Sequence, residues 1–356
     1  MIPIIFTGDT HREYGRLLEI YNVMQKYKEE KEKYICVLGD FGYLFDDSFS
    51  EKKLLDDIEK QDFVFIVIPG NHENYKAFRE YEIVDFHGAK AHKVRENIYY
   101  ICRGEIFELA GKFFYCMGGG NSVDRYMRRK DISYWEEEMP TDGEYKYAAD
   151  TLDSHRKKGK KIDYILSHTA PLSGLAYLGK NHGQEEWPLN NFLEYVRETV
   201  KDEYTMHFYG HLHVDKELPS IKQRALWFDY VEILLEETMK MHQMKLYNDP
   251  FCRIKSGEKT IELRLNDEKR RDVKVGDKIT FTSIDTGEQV VTKCKALYTA
   301  DSFVELFKTL KNNEKMGFKH NESPEDMSEQ MRGYYSIENE KKHGVVGIEI
   351  EIMAEE

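Results

Sequence analysis

Asp9, His11, Asp40, Asn71, His72, His168, His211 and His213 are the residues whose types and spacing could do chemistry. They fall in five short polar runs: Gly8-Asp9-Thr10-His11, Gly39-Asp40-Phe41-Gly42, Gly70-Asn71-His72-Glu73, Ser167-His168 and Gly210-His211-Leu212-His213. Carboxylate and carboxamide oxygens are mixed there with imidazole nitrogens, and no thiolate is among them. Such a set suits two adjacent borderline transition ions, with one carboxylate free to bridge them. His72 adds a group that exchanges a proton near neutral pH.

Each run needs an element to hold it, and each follows a short apolar segment. Ile4-Ile5-Phe6-Thr7 leads into the first, Tyr34-Ile35-Cys36-Val37-Leu38 into the second, and Phe63-Val64-Phe65-Ile66-Val67-Ile68-Pro69 into the third. Tyr164-Ile165-Leu166 and Met206-His207-Phe208-Tyr209 precede the last two. Runs this apolar and rich in β-branched residues read as buried strands of a parallel sheet. The polar residues then sit at the carboxyl ends of strands, where open α/β sheets place ligands. The glycine that usually comes first lets the backbone turn sharply. Residues 12–33, with Leu17, Leu18, Ile20, Tyr21 and Met24 at helical spacing, make a crossover helix, and residues 52–60 make a second.

The order Asp-x-His, Gly-Asp, Gly-Asn-His-Glu, a lone His and Gly-His-x-His resembles the calcineurin-like metallophosphoesterase superfamily, over roughly residues 1–238. The resemblance implies an α/β fold, a β-sandwich flanked by helices. It implies that Asp9, His11 and His213 hold a first metal ion, that Asn71, His168 and His211 hold a second, and that Asp40 bridges the pair. His72 would be the acid beside the site. The cofactors would be two divalent transition-metal ions, Mn, Fe or Zn, and the chemistry a metal-assisted attack of water on phosphorus. Tyr43 and Leu44 stand where the protein phosphatases of that family carry an Asp-Arg pair, which weighs against that branch.

Between the third and fourth runs, residues 97–101, 106–109 and 112–117 read as strands opening a second sheet layer. Gly118-Gly119-Gly120 follows, then Asp124, Arg125, Arg128 and Arg129. Glycines let backbone amides approach an anion and an arginine grips phosphate oxygens in pairs, so Arg125 is a candidate substrate contact. The alternative is a tight loop before a charged surface segment. Trp135-Glu136-Glu137-Glu138 reads as solvated acidic surface, and His182 as a surface histidine. His87, His92, His155 and His207 fall outside every motif, and His207 belongs to a strand body that faces away from the site.

Net charge is −13 over 356 residues, of which 40% are hydrophobic and 13% aromatic. That composition supports globular folding and two domains. An acidic chain is a poor default binder of duplex nucleic acid, so any such role needs a local basic patch. The cysteines at 36, 102, 116, 252 and 294 are odd in number and widely spaced, and read as reduced thiols. Met1-Ile2-Pro3 leads straight into the first strand, and no apolar run approaches the roughly 20 residues a membrane helix needs. The expectation is a cytoplasmic protein without a membrane partner.

The first domain is expected to end at 238, with a linker over 239–243 and a second domain over 244–356. Those last residues carry 19 Lys and Arg against 22 Asp and Glu, a balance of −3 out of −13. Lys269, Arg270, Arg271, Lys274 and Lys278 form their densest positive cluster. Segments 260–265, 278–283, 289–297 and 345–353 read as strands, with one short helix marked by Phe303, Leu306, Phe307 and Leu310. Pro250-Phe251, the run from Ile254 to Arg264, Val275-Gly276-Asp277, Tyr334-Tyr335-Ser336 and Gly344-Val345-Val346-Gly347-Ile348 resemble the ASCH domain, a small β-barrel related to RNA-binding PUA domains. In that family a Gly-x-Lys-x-x-Glu-x-Arg stretch lines a cleft, which nominates Lys259, Glu262 and Arg264. Glu262 stands where the family's amidohydrolases would carry Thr, which favours binding of RNA or a nucleotide over hydrolysis there. A plain Lys-Glu-Arg salt network on a barrel is the alternative.

These readings imply a dimetal phosphoesterase acting on a nucleotide or RNA-related phosphodiester or monoester, with an ASCH module that binds RNA or nucleotide. The competing expectations are a protein Ser/Thr phosphatase with a targeting arm, and a non-catalytic nucleotide- or RNA-binding protein.

Overall fold

The computed structural model describes residues 1–353 except 47, 182, 237 and 238, so His182 lies outside the described residues. The chain divides into two compact units, Met1–Glu237 and Thr238–Glu356.

The first unit contains two sheets. The seven-stranded sheet runs Tyr230–Leu235, Ile2–Thr7, Tyr34–Val37, Val64–Val67, Ile98–Ile101, Ala89–Arg95 and Ile83–Phe86. Four adjacent inner strands, from Ile2–Thr7 to Ile98–Ile101, are mutually parallel, with Phe6 beside Cys36 and Cys36 beside Ile66. They are buried on both faces, which is why their sequences are continuous apolar runs and not alternating ones. The six-stranded sheet runs Lys216–Leu218, Gln223–Ala225, Met206–Tyr209, Tyr164–Ser167, Lys112–Met117 and Ile106–Leu109.

Facing side chains of the two sheets make one core, in which Phe6 stacks on Phe208 at 4.6 Å and Phe107 on Phe114 at 4.7 Å. Helices cover the outer faces. Tyr14–Met24 and Phe49–Glu59 bury Leu17, Ile20, Leu55 and Ile58 against Ile5, Ile35 and Phe65. Asp142–Lys157 and Trp187–Thr199 bury Leu152, Leu189, Leu193 and Val196 against Tyr115 and Ile165. The unit is thus a β-sandwich flanked by helices. Helix Phe49–Glu59 starts where the Ser48 side chain accepts from Glu51 N, three residues before the expected start.

In the second unit a five-stranded sheet curls into a half-barrel, in the order Met241–Leu246, Lys278–Ser283, Gln289–Ala300, Val345–Ile352 and Ile261–Leu265. Helix Phe303–Leu310 packs Phe303, Leu306 and Phe307 inward. It is not alone, as the sequence suggested. Asn248–Lys255, Glu268–Arg271, Asn313–Met316, Pro324–Met331 and Ile337–His343 are helical too. These helices are short and polar, and four of them begin on the side-chain caps Asp267, Asn312, Ser323 and Ser336. Met316, Met327 and Met331 reach the core, too few apolar positions to make a period visible.

No helix among the described residues is long and apolar enough to cross a membrane.

Candidate active site

The strand ends of both sheets converge. His11 N donates to Asp40 O at 2.8 Å, Gly210 N to His168 O at 2.8 Å, and Gly119 N to Pro69 O at 2.7 Å, so backbone ties the first run to the second, the fifth to the fourth, and the strand end before the third to the triple-glycine loop. The backbone strain falls on the polar residues themselves. Asp9, His11, Asp40, His211 and His213 all adopt positive φ, between 33° and 63°. Non-glycine residues pay for that conformation only where surrounding structure holds them. Of the glycines before them, only Gly39 is in the left-handed region. Gly70 is needed for space instead, because a Cβ there would lie 2.3 Å from Asp40 Oδ1.

Asp9, His11 and His213 each present one donor atom within 4.8 Å of the others, and so do Asp9, Asp40 and His168. Asp40 stands between the groups. Its Oδ1 lies 3.4 Å from His168 Nε2 and accepts from His72 N at 2.8 Å, and its Oδ2 lies 3.8 Å from His11 Nε2 and 3.9 Å from His72 Nε2. Asn71 Oδ1 is 2.9 Å from His168 Nε2, and the His211 ring is 4.7 Å from the His168 ring. Trp227 stacks on His213 at 5.0 Å.

Neighbours fix which atoms face inward. His168 Nδ1 donates to Leu38 O at 2.7 Å, leaving Nε2 as a bare lone pair. Asn71 Nδ2 donates to Ser122 Oγ, leaving its oxygen for the site. Two acceptors therefore face each other at 2.9 Å, while His11 Nε2 and His213 Nε2 face each other at 3.2 Å. Lone pairs gathered this way are stable when a cation lies among them, so these residues fit divalent metal. The electrostatics agree. Burial, and then the nearby Asp40, push the Asp9 carboxyl well above its usual range. Burial would raise Asp40 too, but the imidazoles of His168, His72, His11 and His211 outweigh it and hold Asp40 low. Burial brings His168 down to about 4, so its ring is neutral and able to coordinate.

Three carboxylates that sequence reasoning did not assign hold this arrangement. Glu73 is fully buried and accepts from Phe41 N at 2.9 Å, tying the Asn71 loop to the Asp40 loop. Glu186 is fully buried and accepts from His211 Nε2 at 2.9 Å, Asn121 N at 2.8 Å and Thr169 Oγ1 at 2.5 Å. Glu138 belongs to the run read as solvated surface, yet it too is fully buried. It accepts from Ser122 N and Oγ, and so continues the chain that orients Asn71. The short 3-10 turn Glu136–Glu138 sends its last residue inward while the first two stay outside.

Arg125 completes that chain, with Nε donating to Glu138 Oε1 at 2.5 Å. Arg128 is the guanidinium that meets His72, with Nη1 2.9 Å from Nδ1, and Asp124 accepts from its Nε at 2.6 Å. Arg16, nearly buried, donates to Asp9 O at 2.6 Å and Gly8 O at 2.9 Å and shapes the first loop from behind.

His207 does turn away from the cluster. It is fully buried, with Nε2 2.7 Å from Ser167 Oγ and Nδ1 unpartnered, and burial drives its pKa down to about 3. In the unfolded chain the ring titrates near 6.5, so below that pH the unfolded state binds the extra proton and stability falls as pH drops from about 6.5 toward 3, by up to ~1.4 kcal/mol per unit. Chemical denaturation between pH 6 and 4 should therefore show a shallower acid loss in His207→Gln than in the parent chain. Equal slopes would remove His207 from the account.

In the second unit, Lys259 Nζ lies 2.8 Å from Glu262 Oε2 and Arg264 Nε 2.9 Å from Glu262 Oε1. The three line a cavity of about 520 Å³ with Tyr247, Phe318 and Tyr334.

The chain is similar to known proteins in two stretches. The calcineurin-like phosphoesterase family model matches residues 2–215, more than half of the chain, and the ASCH domain model matches residues 244–354. No curated protein matches. Among solved structures, a crystallised hypothetical protein is 37% identical, over 32% of this chain and 99% of its own, with a TM-score of 0.28. A protein from Pyrococcus furiosus is 36% identical, over 32% of this chain and 97% of its own, with a TM-score of 0.26. A putative 5′-nucleotidase from Staphylococcus aureus is 11% identical, over 75% of this chain and 68% of its own, with a TM-score of 0.39.

Proposed function

Because the chain belongs to the calcineurin-like phosphoesterase family and is a metal-dependent phosphoesterase carrying an ASCH domain, we propose that its substrate is a nucleotide or RNA-related phosphate ester, and that the ASCH cleft binds RNA or nucleotide. The observation that carries the site assignment is the convergence of possible ligand atoms from Asp9, His11, Asn71, His168 and His213 around Asp40. In this reading Asp9, His11 and His213 hold one divalent ion, Asn71, His168 and His211 hold the other, and Asp40 bridges. The ions are Mn, Fe or Zn, as suits imidazole and carboxylate ligands. When bound, such a pair neutralises phosphoryl charge and makes water a competent nucleophile at neutral pH.

The protein's own groups do the rest. With the donor-only Arg128 guanidinium on its Nδ1, the His72 ring carries its hydrogen on Nε2, which stands at the edge of the cluster, 3.9 Å from Asp40 Oδ2, placed to donate a hydrogen bond that steadies a phosphoryl or leaving oxygen. Arg128 holds the His72 ring from its Nδ1 side and brings a positive charge to the phosphoryl group. Tyr43 and Leu44 are buried, so no pair of polar groups stands where the protein phosphatases of the family carry theirs, and a nucleotide or diester is favoured over a phosphoprotein.

Turnover of an aryl phosphate diester, an aryl monoester and nucleotides with added Mn²⁺, Fe²⁺ or Zn²⁺ tests the reading. Hydrolysis of none of them with any of these ions would overturn it. Arg128→Ala should lower kcat/KM by about 10–100-fold, the loss of one hydrogen bond to a charged group. Unchanged kcat/KM would leave Arg128 a surface residue.

A further inference from the structure

The basic cluster of the second unit has no part in the reading above. Beside the ASCH cleft a groove of about 1110 Å³ runs along the strand Met241–Leu246 and residues 264–272, where the cations Lys245, Arg264, Lys269, Arg270 and Arg271 outnumber the acids Glu268 and Asp272. Much of the acid nearby is already engaged, since Asp267 pairs with Arg270 and Asp272 with Lys240. Lys245, Lys269 and Arg271 stand exposed. Arg271 Nη2 donates to His343 O, which brings the last turn of helix Ile337–His343, with the exposed Lys341 and Lys342, alongside the same strip. On a chain of net charge −13, this local gathering of cations is anomalous.

The groove and the cleft adjoin, with Lys245 and Arg264 lining both. Their linings differ in kind. The cleft carries aromatic rings, with Tyr247 and Tyr334 both exposed and 6.2 Å apart. The groove carries charge. An unpaired base stacks on aromatic rings while the phosphates of its strand follow a basic track, and a paired base has no face to offer. We propose that cleft and groove form one site for single-stranded nucleic acid, with a base among Tyr247 and Tyr334 and the adjoining phosphates on Lys245, Lys269 and Arg271. This rests on the ASCH cleft binding a nucleotide, and adds that the natural ligand is a strand.

Fluorescence anisotropy of the full chain in EDTA, which keeps the first unit from turning the probe over, tests it with a mixed-sequence dodecamer of RNA, the same sequence as DNA, its duplex, and nucleoside monophosphates as competitors. The single-stranded dodecamer should bind at least about tenfold tighter than any monophosphate, with a log–log salt slope near −2 for three phosphate contacts. Lys269→Glu combined with Arg271→Glu, both on exposed side chains, should weaken the dodecamer at least about tenfold and flatten the slope, and leave competition by monophosphates unchanged. The RNA and DNA arms decide which strand is preferred. Monophosphates binding as tightly as the dodecamer, a duplex binding as well as the strand, or a dodecamer indifferent to the double variant would overturn the strand proposal while leaving the cleft as a nucleotide site. Binding of neither strand nor monophosphate would overturn both.

Discussion

Asp40→Asn is expected to cut turnover of an aryl phosphate diester by about a thousandfold or more, the loss of several kcal/mol of charge stabilisation at the reacting centre. Asp40 has one oxygen 3.4 Å from His168 Nε2 and the other 3.8 Å from His11 Nε2, so it faces both halves of the ligand set with a separate oxygen for each. An amide of the same size can still accept from His72 N, and the loop it anchors should keep its shape. The substitution also removes the neighbour that helps push the Asp9 carboxyl up. The metal-free variant should therefore melt no lower than the parent, while the rise in melting temperature that Mn²⁺ confers on the parent should shrink. Assay and thermal scans with and without EDTA check both halves. Full activity in Asp40→Asn would end the bridging assignment, and a collapse of the metal-free melting temperature would mark Asp40 as structural.

The ligand candidates were legible because two simple patterns coincide at them. Parallel strands covered on both faces must be continuously apolar, so the runs ending at Thr7, Leu38 and Ile68 announce themselves, and a polar Asp, Asn or His directly after them has few other reasons to be there. What supports them was not legible. Glu138 and Glu186 each close a run of acids whose earlier members stay at the surface, and nothing local separates the buried one from its neighbours. Their burial is decided by Ser122, Asn121 and His211, which arrive from elsewhere in the chain. The choice between Arg125 and Arg128 failed to show for a related reason. Both lie in an irregular stretch with a single 3-10 turn, so no period tells which faces inward. Arg125 goes to Glu138 and Arg128 to His72. In the second unit four of the five strands could be placed, while Met241–Leu246 runs through residues read as a linker, and the helices after Leu310 rest on caps and scattered methionines that leave little trace. The positive φ of Asp9, His11, Asp40, His211 and His213 also has no signature in composition, since only packing can hold such residues there.

Glu186→Gln should weaken metal binding by about 10–100-fold, the usual cost of losing the group that orients a ligating imidazole. The buried Glu186 carboxylate receives four donors, from His211, Asn121, Thr169 and Asn190, and a glutamine must turn its own NH₂ toward some of them. At least one buried donor is then unmatched, which costs about 1–3 kcal/mol of stability. The charge matters as well. Burial alone would lower the His211 pKa, but Glu186 carries it up to about 9, which shows how strongly the carboxylate polarises the ring. Glu186 touches no substrate, so its effect should appear in metal titrations and largely vanish from kcat once Mn²⁺ is saturating. A catalytic group would instead depress kcat at every metal concentration. Mn²⁺ titrations of activity, set beside thermal melts of the metal-free chain, separate the two, and an unchanged Mn²⁺ affinity in Glu186→Gln would show that His211 does not depend on this carboxylate.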